Sequence, residues 1–404
     1  MSLLDMLSEP GCWESFYRYK TSLCCTKRFS QRLREFTDGK EYLPVCERIN
    51  RGEEFPLPGK SLISKLDTAK KRTVYTYPEP ENTVLKMLTF LMLRKYDGIF
   101  SDNLYSFRPA RTAAQGFLSL ARRPGIDKLW CYKADISNYF NSADVGILLS
   151  MLGETLKDDP RLLGFLSALL KEPRVSDRGS IVTEQKGMMA GTPISAFCAN
   201  IYLRGLDEHF ASQGIPYARY SDDIVCFAET EQEIHRLAQT VRDTAASLGL
   251  SINPDKECFT APDEGFVFLG LSYQGGCIDA APASVRKLKA KMRRKCRALK
   301  RWQQRKKIEP ENAAVSFIRI FNSKLFDAPS DNDLSWARWY FPVINTDRSL
   351  RSIDRYAQDC LRYLISGKRT ASRFRVRYSD LKELGYRSLA AEYHKQKKLL
   401  HSTV

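Results

Sequence analysis

Histidine is scarce in this chain, with 4 among 404 residues, and its 11 cysteines include no Cys-x-x-Cys pair. A structural zinc site needs thiolates and imidazoles at short spacing, so none is expected. Cysteines scattered as Cys12, Cys24, Cys25, Cys46, Cys131 and Cys198 read instead as reduced thiols, mostly in the core. No apolar run reaches the roughly 18 residues that a bilayer-spanning helix requires, so no membrane partner is expected. The first residues, Met1-Ser2-Leu3-Leu4-Asp5-Met6, place an acid where a secretory signal would place basic residues before an apolar core, and a cytoplasmic protein is the expectation. Internal repeats and low-complexity linkers are also lacking.

One absence is local. Between Ser284 and Lys307 there is no acid, while Arg286, Lys287, Lys289, Lys291, Arg293, Arg294 and Arg297 lead a dense run of cations. Over the whole chain 64 Lys and Arg outweigh 47 Asp and Glu, a formal charge of +17. Such an excess favours a polyanionic partner through phosphate neutralisation and counterion release, with nucleic acid as the leading candidate. Cations packed this densely on one helix repel one another, so the run makes most sense against a phosphate backbone. The aromatic cluster Trp336-Ala337-Arg338-Trp339-Tyr340-Phe341-Pro342 reads as core with an accessible edge, or as a base-stacking surface.

Against this basic background stands Tyr220-Ser221-Asp222-Asp223, between Ala218-Arg219 and the apolar run Ile224-Val225-Cys226-Phe227-Ala228. The pattern predicts a strand-turn-strand hairpin with two carboxylates at its tip. A third acid, Asp135, ends another apolar run that begins at Leu129. Two strands ending in Asp, separated by helical sequence, suggest one shared acidic site able to hold a hard cation. Other patterns predict short helices and loops up to about Leu66, a strand over Lys70–Pro78 and a helix over Glu81–Tyr96. Helical sequence follows from Asp144 to Leu170, then a polar turn with a short strand from Pro173 to Glu184, and a flexible stretch at Gly187–Thr192. Pro193 is expected near the first turn of a helix reaching Phe210, and Glu231–Leu248 reads as an amphipathic helix stopped by Gly249. Strands are predicted over Leu250–Thr260 and Phe266–Tyr273, with helical sequence to the end.

The order of these signals resembles a bacterial reverse transcriptase related to group II intron and retron enzymes, from about Lys70 to Tyr273. Lys133-Ala134-Asp135-Ile136 is similar to the family's first catalytic motif and Tyr220-Ser221-Asp222-Asp223 to its Tyr-x-Asp-Asp box. Gly191-Thr192-Pro193 with Asn200-Ile201-Tyr202-Leu203, then Leu250–Lys256 and Phe268-Leu269-Gly270, resemble the motifs around them, and Asn103–Arg111 resembles the fingers motif of intron-type enzymes. The resemblance implies an α+β right-hand polymerase: a helical extension at 1–66, fingers and palm at 67–280, and a basic α-helical thumb and C-terminal region at 281–404. It implies two Mg²⁺ ions, or Mn²⁺ in their place, held by Asp135, Asp222, Asp223 and the Ile136 carbonyl. Lys71, Arg72 and Arg108 would meet the incoming triphosphate, although Arg108 reads equally as a structural fingers residue. Phe140 would lie under the sugar and favour deoxynucleotides, and Lys256 would protonate the leaving pyrophosphate.

Two departures bear on the subgroup. Intron and retron enzymes carry Pro-Gln-Gly where this chain has Pro193-Ile194-Ser195, and no His-Asn-His endonuclease pattern follows the basic region. The chain thereby resembles the "unknown group" reverse transcriptases of antiphage defence, type 2 in particular, which implies a structured noncoding RNA as template, cDNA as product and dNTPs as substrates. A retron or mobile-element enzyme, RNA-directed RNA synthesis and a non-catalytic maturase-like RNA scaffold are the alternatives.

Overall fold

The computed structural model describes residues 1–23, 25–64, 71–327 and 335–401. The chain divides into two compact units, one made of Met1–Leu23 and Lys27–Glu264, the other of Gly265–Val404 with Cys24–Thr26.

The first unit opens with four helices, α1 (Leu3–Met6), α2 (Pro10–Ser22), α3 (Lys27–Asp38) and α4 (Leu43–Asn50). Strands β1 (Gly59–Ser64) and β2 (Lys71–Thr76) lead into α5 (Glu79–Lys95), followed by α6 (Ala113–Ala121), β3 (Trp130–Asp135) and the single-turn α7 (Tyr139–Ser142). Next come α8 (Val145–Thr155), α9 (Pro160–Lys171), β4 (Arg174–Asp177), β5 (Ser180–Thr183), α10 (Ser195–Tyr202) and α11 (Arg204–Ser212). The unit ends with β6 (Tyr217–Tyr220), β7 (Asp223–Ala228), α12 (Glu231–Ser247) and β8 (Cys258–Thr260). One sheet has the order β2-β1-β4-β5 and the other β6-β7-β3-β8.

Helix α5 is apolar around almost its whole circumference, and every residue from Met87 to Leu93 is buried. A helix of that kind must be covered on all sides. Helices α1, α2, α4 and α10 supply the cover, and the aromatics of the N-terminal segment reach the same core: Trp13 stacks on Tyr42 at 4.5 Å and Phe16 meets Phe90 edge-on at 5.3 Å. In the second sheet, α12 packs on β3 and β7, while α6 and α11 pack on β6. Ile224–Ala228 is therefore buried throughout, without the polar alternation of a strand that faces water on one side.

The second unit contains β9 (Phe266–Phe268), β10 (Leu271–Gln274) and β11 (Cys277–Ala280), then α13 (Pro282–Lys306), α14 (Pro310–Phe326), α15 (Trp336–Tyr340), α16 (Arg348–Ser366), α17 (Tyr378–Glu383) and α18 (Leu389–His401). The basic run forms α13, whose buried stripe of Leu288, Met292, Cys296, Leu299 and Gln303 faces α14 and α16.

Four expectations need correction. The stretch before Leu66 is not wholly helix and loop, since Gly59–Ser64 is a strand paired antiparallel with β2 from Gly59↔Thr76 to Ser64↔Lys71; too short to show a period, it owes its form to its partner. Lys70, where the second strand was expected to begin, lies outside the described residues. Pro193 lies just before α10, near the first turn as expected, but the helix expected to reach Phe210 without a break is interrupted at Leu203, giving α10 and α11. The strand expected over Leu250–Thr260 shrinks to Cys258–Thr260, because Pro254 has no N–H for a ladder and a turn closes where Lys256 N–H donates to the Asn253 carbonyl at 3.0 Å. Finally, Phe266–Tyr273 is a hairpin: Phe268 pairs with Leu271, and Leu269 (φ +50) and Gly270 (φ +79) form its turn. A leucine there carries none of the Asn-Gly signature of such turns.

Candidate active site

The three acids come together through sheet register. Strands β3 and β7 pair antiparallel so that Asp135 lies opposite Asp223, and β6 pairs with β7 so that Tyr220 lies opposite Asp223. The loop between β6 and β7 is thus two residues, Ser221 and Asp222, with Ser221 in the left-handed region at φ +59. Such a loop twists with its strands, so it holds Asp222 at a defined point. The chain just after β3 pins the tip, because Ile136 N–H donates to the Asp222 carbonyl at 3.2 Å.

From below, the tip is held by Arg219, which is fully buried. Its Nη1 donates to the Ser221 carbonyl at 3.1 Å, its Nε donates to Asp207 at 2.8 Å, and its Nη2 reaches the Asn200 carbonyl at 3.3 Å. Tyr217 donates to the same Asp207 carboxylate at 2.8 Å, and Asn200 in turn bonds Ser106. Every charge in this network has a partner, which a buried ion pair needs in order not to be a net cost. Arg219 and Asp207 did not figure among the expected site residues. An arginine inside an apolar strand run was the available signal, since such a charge requires a buried acid.

Asp135 is 5 % exposed, whereas Asp222 and Asp223 are half-buried. Burial, then repulsion from Asp135, raises the Asp222 carboxyl above its usual range. Burial also pushes Asp223 up to about 6, with the Lys133 ammonium 4.0 Å away opposing and both neighbouring carboxylates adding to the rise. Lys256 donates to Asp135 Oδ1 at 2.6 Å, so an ammonium stands at the most buried acid. The donor set fits hard divalent cations: carboxylates that repel one another, with a backbone carbonyl beside them. Among the described residues no group of three or more His, Cys, Asp or Glu side chains could hold an ion unaided. Mg²⁺ sites completed by substrate phosphates and water need one or two carboxylates.

Two further expected residues lie close by. The Arg72 guanidinium on β2 sits 5.6 Å above the Phe140 ring, and its charge lowers the Asp222 carboxyl against the effect of burial. Phe140 is held by its backbone, since its carbonyl accepts from Met188 N–H at 2.6 Å. Asn141, the next residue, bridges elements by donating to the Thr73 carbonyl at 3.1 Å and accepting from Ala190 N–H at 2.9 Å. Gly187 and Gly191 fill tight spaces in this assembly: a Cβ on Gly187 would come within 2.5 Å of the Phe140 carbonyl, and one on Gly191 within 2.9 Å of the Tyr75 carbonyl. The stretch expected to be flexible is wedged between α7 and β2.

The other expected residues differ in exposure and partners. Lys71 is exposed on β2. Arg108 is buried, with Nε on Asp97 at 2.7 Å and Nη1 on the Ser101 carbonyl at 2.7 Å, so it braces the loop of Asn103–Arg111. In the second unit Arg286, Lys287, Arg293, Arg294 and Arg297 are exposed and Lys291 is half-buried. Lys289 is engaged internally, donating to Ser352 on α16 at 2.7 Å.

Comparison with known proteins agrees with this geometry. Residues 63–273, more than half of the chain, match the reverse transcriptase (RNA-dependent DNA polymerase) family. The chain is 21 % identical to protein YkfC of Escherichia coli (strain K12) over 263 residues, covering 55 % of this chain and 68 % of YkfC. It is 22 % identical to the group II intron-encoded protein LtrA of Lactococcus lactis subsp. cremoris over 204 residues, 49 % of this chain and 33 % of LtrA, so it spans about a third of that relative. Among solved structures, apo telomerase from Candida tropicalis aligns over 82 % of this chain and 69 % of its own, at 10 % identity and a TM-score of 0.46. With its sheet-borne carboxylate hairpin and its mixed α+β elements, the chain belongs to the reverse transcriptase family, the RNA-dependent DNA polymerases.

Proposed function

We propose that this reverse transcriptase copies a cognate structured noncoding RNA into cDNA as part of bacterial antiphage defence. The observation that carries the polymerase reading is the convergence of Asp135, Asp222 and Asp223 at one sheet end, with the Lys256 ammonium already paired to Asp135. Asp135, Asp222 and the Ile136 carbonyl would hold two Mg²⁺ ions, or Mn²⁺, with Asp223 in support. Such ions lower the pKa of a primer 3′-hydroxyl and neutralise charge on the triphosphate. With Asp135 turned to a divalent cation, Lys256 would be released from this contact and would give a proton to departing pyrophosphate. Arg72, with Lys71 on the same strand, binds the triphosphate. The Phe140 ring lies under the sugar and rejects a 2′-hydroxyl, so Phe140→Ala should raise ribonucleotide incorporation in primer extension; unchanged selectivity removes this role.

Within the reading, 1–66 is the N-terminal extension, 67–280 the fingers and palm, and 281–404 the thumb, whose α13 cations meet the nucleic-acid backbone. The defence assignment is supported by the Pro193-Ile194-Ser195 form. The test is to purify the protein from a host carrying its flanking DNA, and to sequence co-purifying RNA and DNA beside an Asp222→Asn, Asp223→Asn variant. One abundant RNA with complementary DNA that is missing from the variant establishes a dedicated template. RNA without DNA in either sample points to the maturase-like scaffold instead. Loss of plaque suppression in the variant completes the test of the defence role.

A further inference from the structure

The second unit contains a cavity of about 250 Å³ that the polymerase reading does not use. One wall is α13, which presents Arg293, Cys296 and Arg297. The floor is α16, where Tyr356, Asp359, Cys360 and Tyr363 recur at helical spacing and so share one face. Arg369 and Arg373, from the segment after α16, close the far side.

The lining carries four guanidiniums against one carboxylate, and that carboxylate is already shared: Asp359 lies 3.8 Å from Arg362 and 3.4 Å from Arg373. Arg293, Arg297 and Arg369 are exposed side chains that converge on the same small space. Like charges gathered this way repel one another, and an anion between them removes the repulsion. The type of cation also matters. Helix α13 mixes lysine and arginine along its length, yet every cation lining the cavity is arginine, whose planar fork pairs with two phosphate oxygens at once. The two tyrosines add ring surface: the Arg369 guanidinium stands 4.8 Å over the Tyr363 ring, and the Tyr356 hydroxyl lies within reach of the charges of Arg293 and Arg297. Guanidinium beside an aromatic face is the combination that holds unpaired bases with their phosphates.

We infer that this cavity binds one phosphate-bearing nucleotide of an unpaired nucleic-acid strand, a site separate from the carboxylates and different in kind from an open basic helix face. The nucleic-acid nature of the ligand rests on the proposed function. At about 250 Å³ the cavity is smaller than the roughly 300–1,000 Å³ of pockets that enclose drug-sized ligands, so it takes one phosphate with part of its nucleotide and leaves the rest of the strand outside. The two tyrosine rings respond to an unpaired base, whereas the exposed cations of α13 outside the cavity respond to any phosphate backbone.

The test uses the full chain, a fluorescently labelled short unstructured RNA and a duplex of the same length, without divalent metal or nucleoside triphosphate, so that failure of polymerisation leaves the measurement intact. Arg369→Gln should weaken single-strand binding about tenfold, the scale of one charge-assisted hydrogen bond. Tyr363→Leu should weaken it about tenfold, the scale of one stacked base, while Tyr363→Phe, which keeps the ring, should bind as the parent does. Duplex binding should be unchanged in all three. Circular dichroism checks folding. Equal weakening of single strand and duplex, or an inert Tyr363→Leu, would each overturn the proposal.

Discussion

The acidic hairpin and the basic helix α13 use charge in opposite ways. At the hairpin a few carboxylates are set by backbone register and half or wholly buried, and Asp222 and Asp223 are pushed above their usual titration range by burial and by neighbouring carboxylates. Along α13 many cations project from one helix, most of them exposed, and those outside the cavity and not engaged internally are replaceable by their neighbours. Buried charges interact strongly and only in one geometry, whereas solvated ones are screened and act nearly additively. Function at the hairpin should therefore hang on single atoms, and function along the helix on the sum of charge.

The largest break in that comparison is Asp222→Asn. It removes one charge and almost no volume, and should lower primer extension by about a thousandfold or more, since charge stabilisation by metal is worth several kcal/mol. The melting temperature should hold or rise, because a carboxylate repelled by Asp135 has been neutralised. Activity surviving the change would mean that the hairpin is not the reaction centre. Next in size is Arg219→Met, which leaves Asp207 charged and buried and should cost about 3–5 kcal/mol in urea denaturation. Adding Asp207→Leu should restore much of that stability without restoring synthesis, because the donor to the Ser221 carbonyl stays missing. Recovery of both would reduce Arg219 to a packing residue.

A smaller effect separates the two regions by pH. The Asp223 carboxyl is raised from 3.8 to about 6, so its contribution to stability is complete below about 3.8 and is lost as pH rises through about 6. Metal-free Asp223→Asn should melt higher than the parent above about pH 6, with the gap closing as the pH falls towards about 4. Parallel melting curves would show that Asp223 is not raised. The smallest effect belongs to the helix: Arg293→Gln with Arg297→Gln should reduce the salt slope of single-strand binding by about 0.7 for each phosphate left without its arginine. An unchanged slope would take these arginines out of the nucleic-acid interface.

Legibility differed between the regions for the same reason. The hairpin could be read in advance because its signals are local: two acids between apolar runs, with a matching acid at the end of another run. Helix α13 was readable from its acid-free composition alone, and its bounds, Pro282–Lys306, fall within two residues of the predicted run. Strand β1 and the Leu269-Gly270 turn were not readable, since each depends on a pairing partner rather than on its own residues. Arg108 and Lys289 look alike in sequence to phosphate-binding cations, yet one is directed to Asp97 and the other to Ser352. A cation's type says nothing of which neighbour reaches it first.

What the sequence determined by itself was the family's motif order, the sign of charge in each region and most helices, because these follow from periods and compositions within about twenty residues. The tertiary structure alone decided that Asp135 faces Asp223, that Arg219 supports the tip through Asp207, and that arginines from α13 and from the segment after α16 line one cavity. Each of these joins residues far apart in the chain, and only folding brings such residues close enough for charge and hydrogen bonding to act.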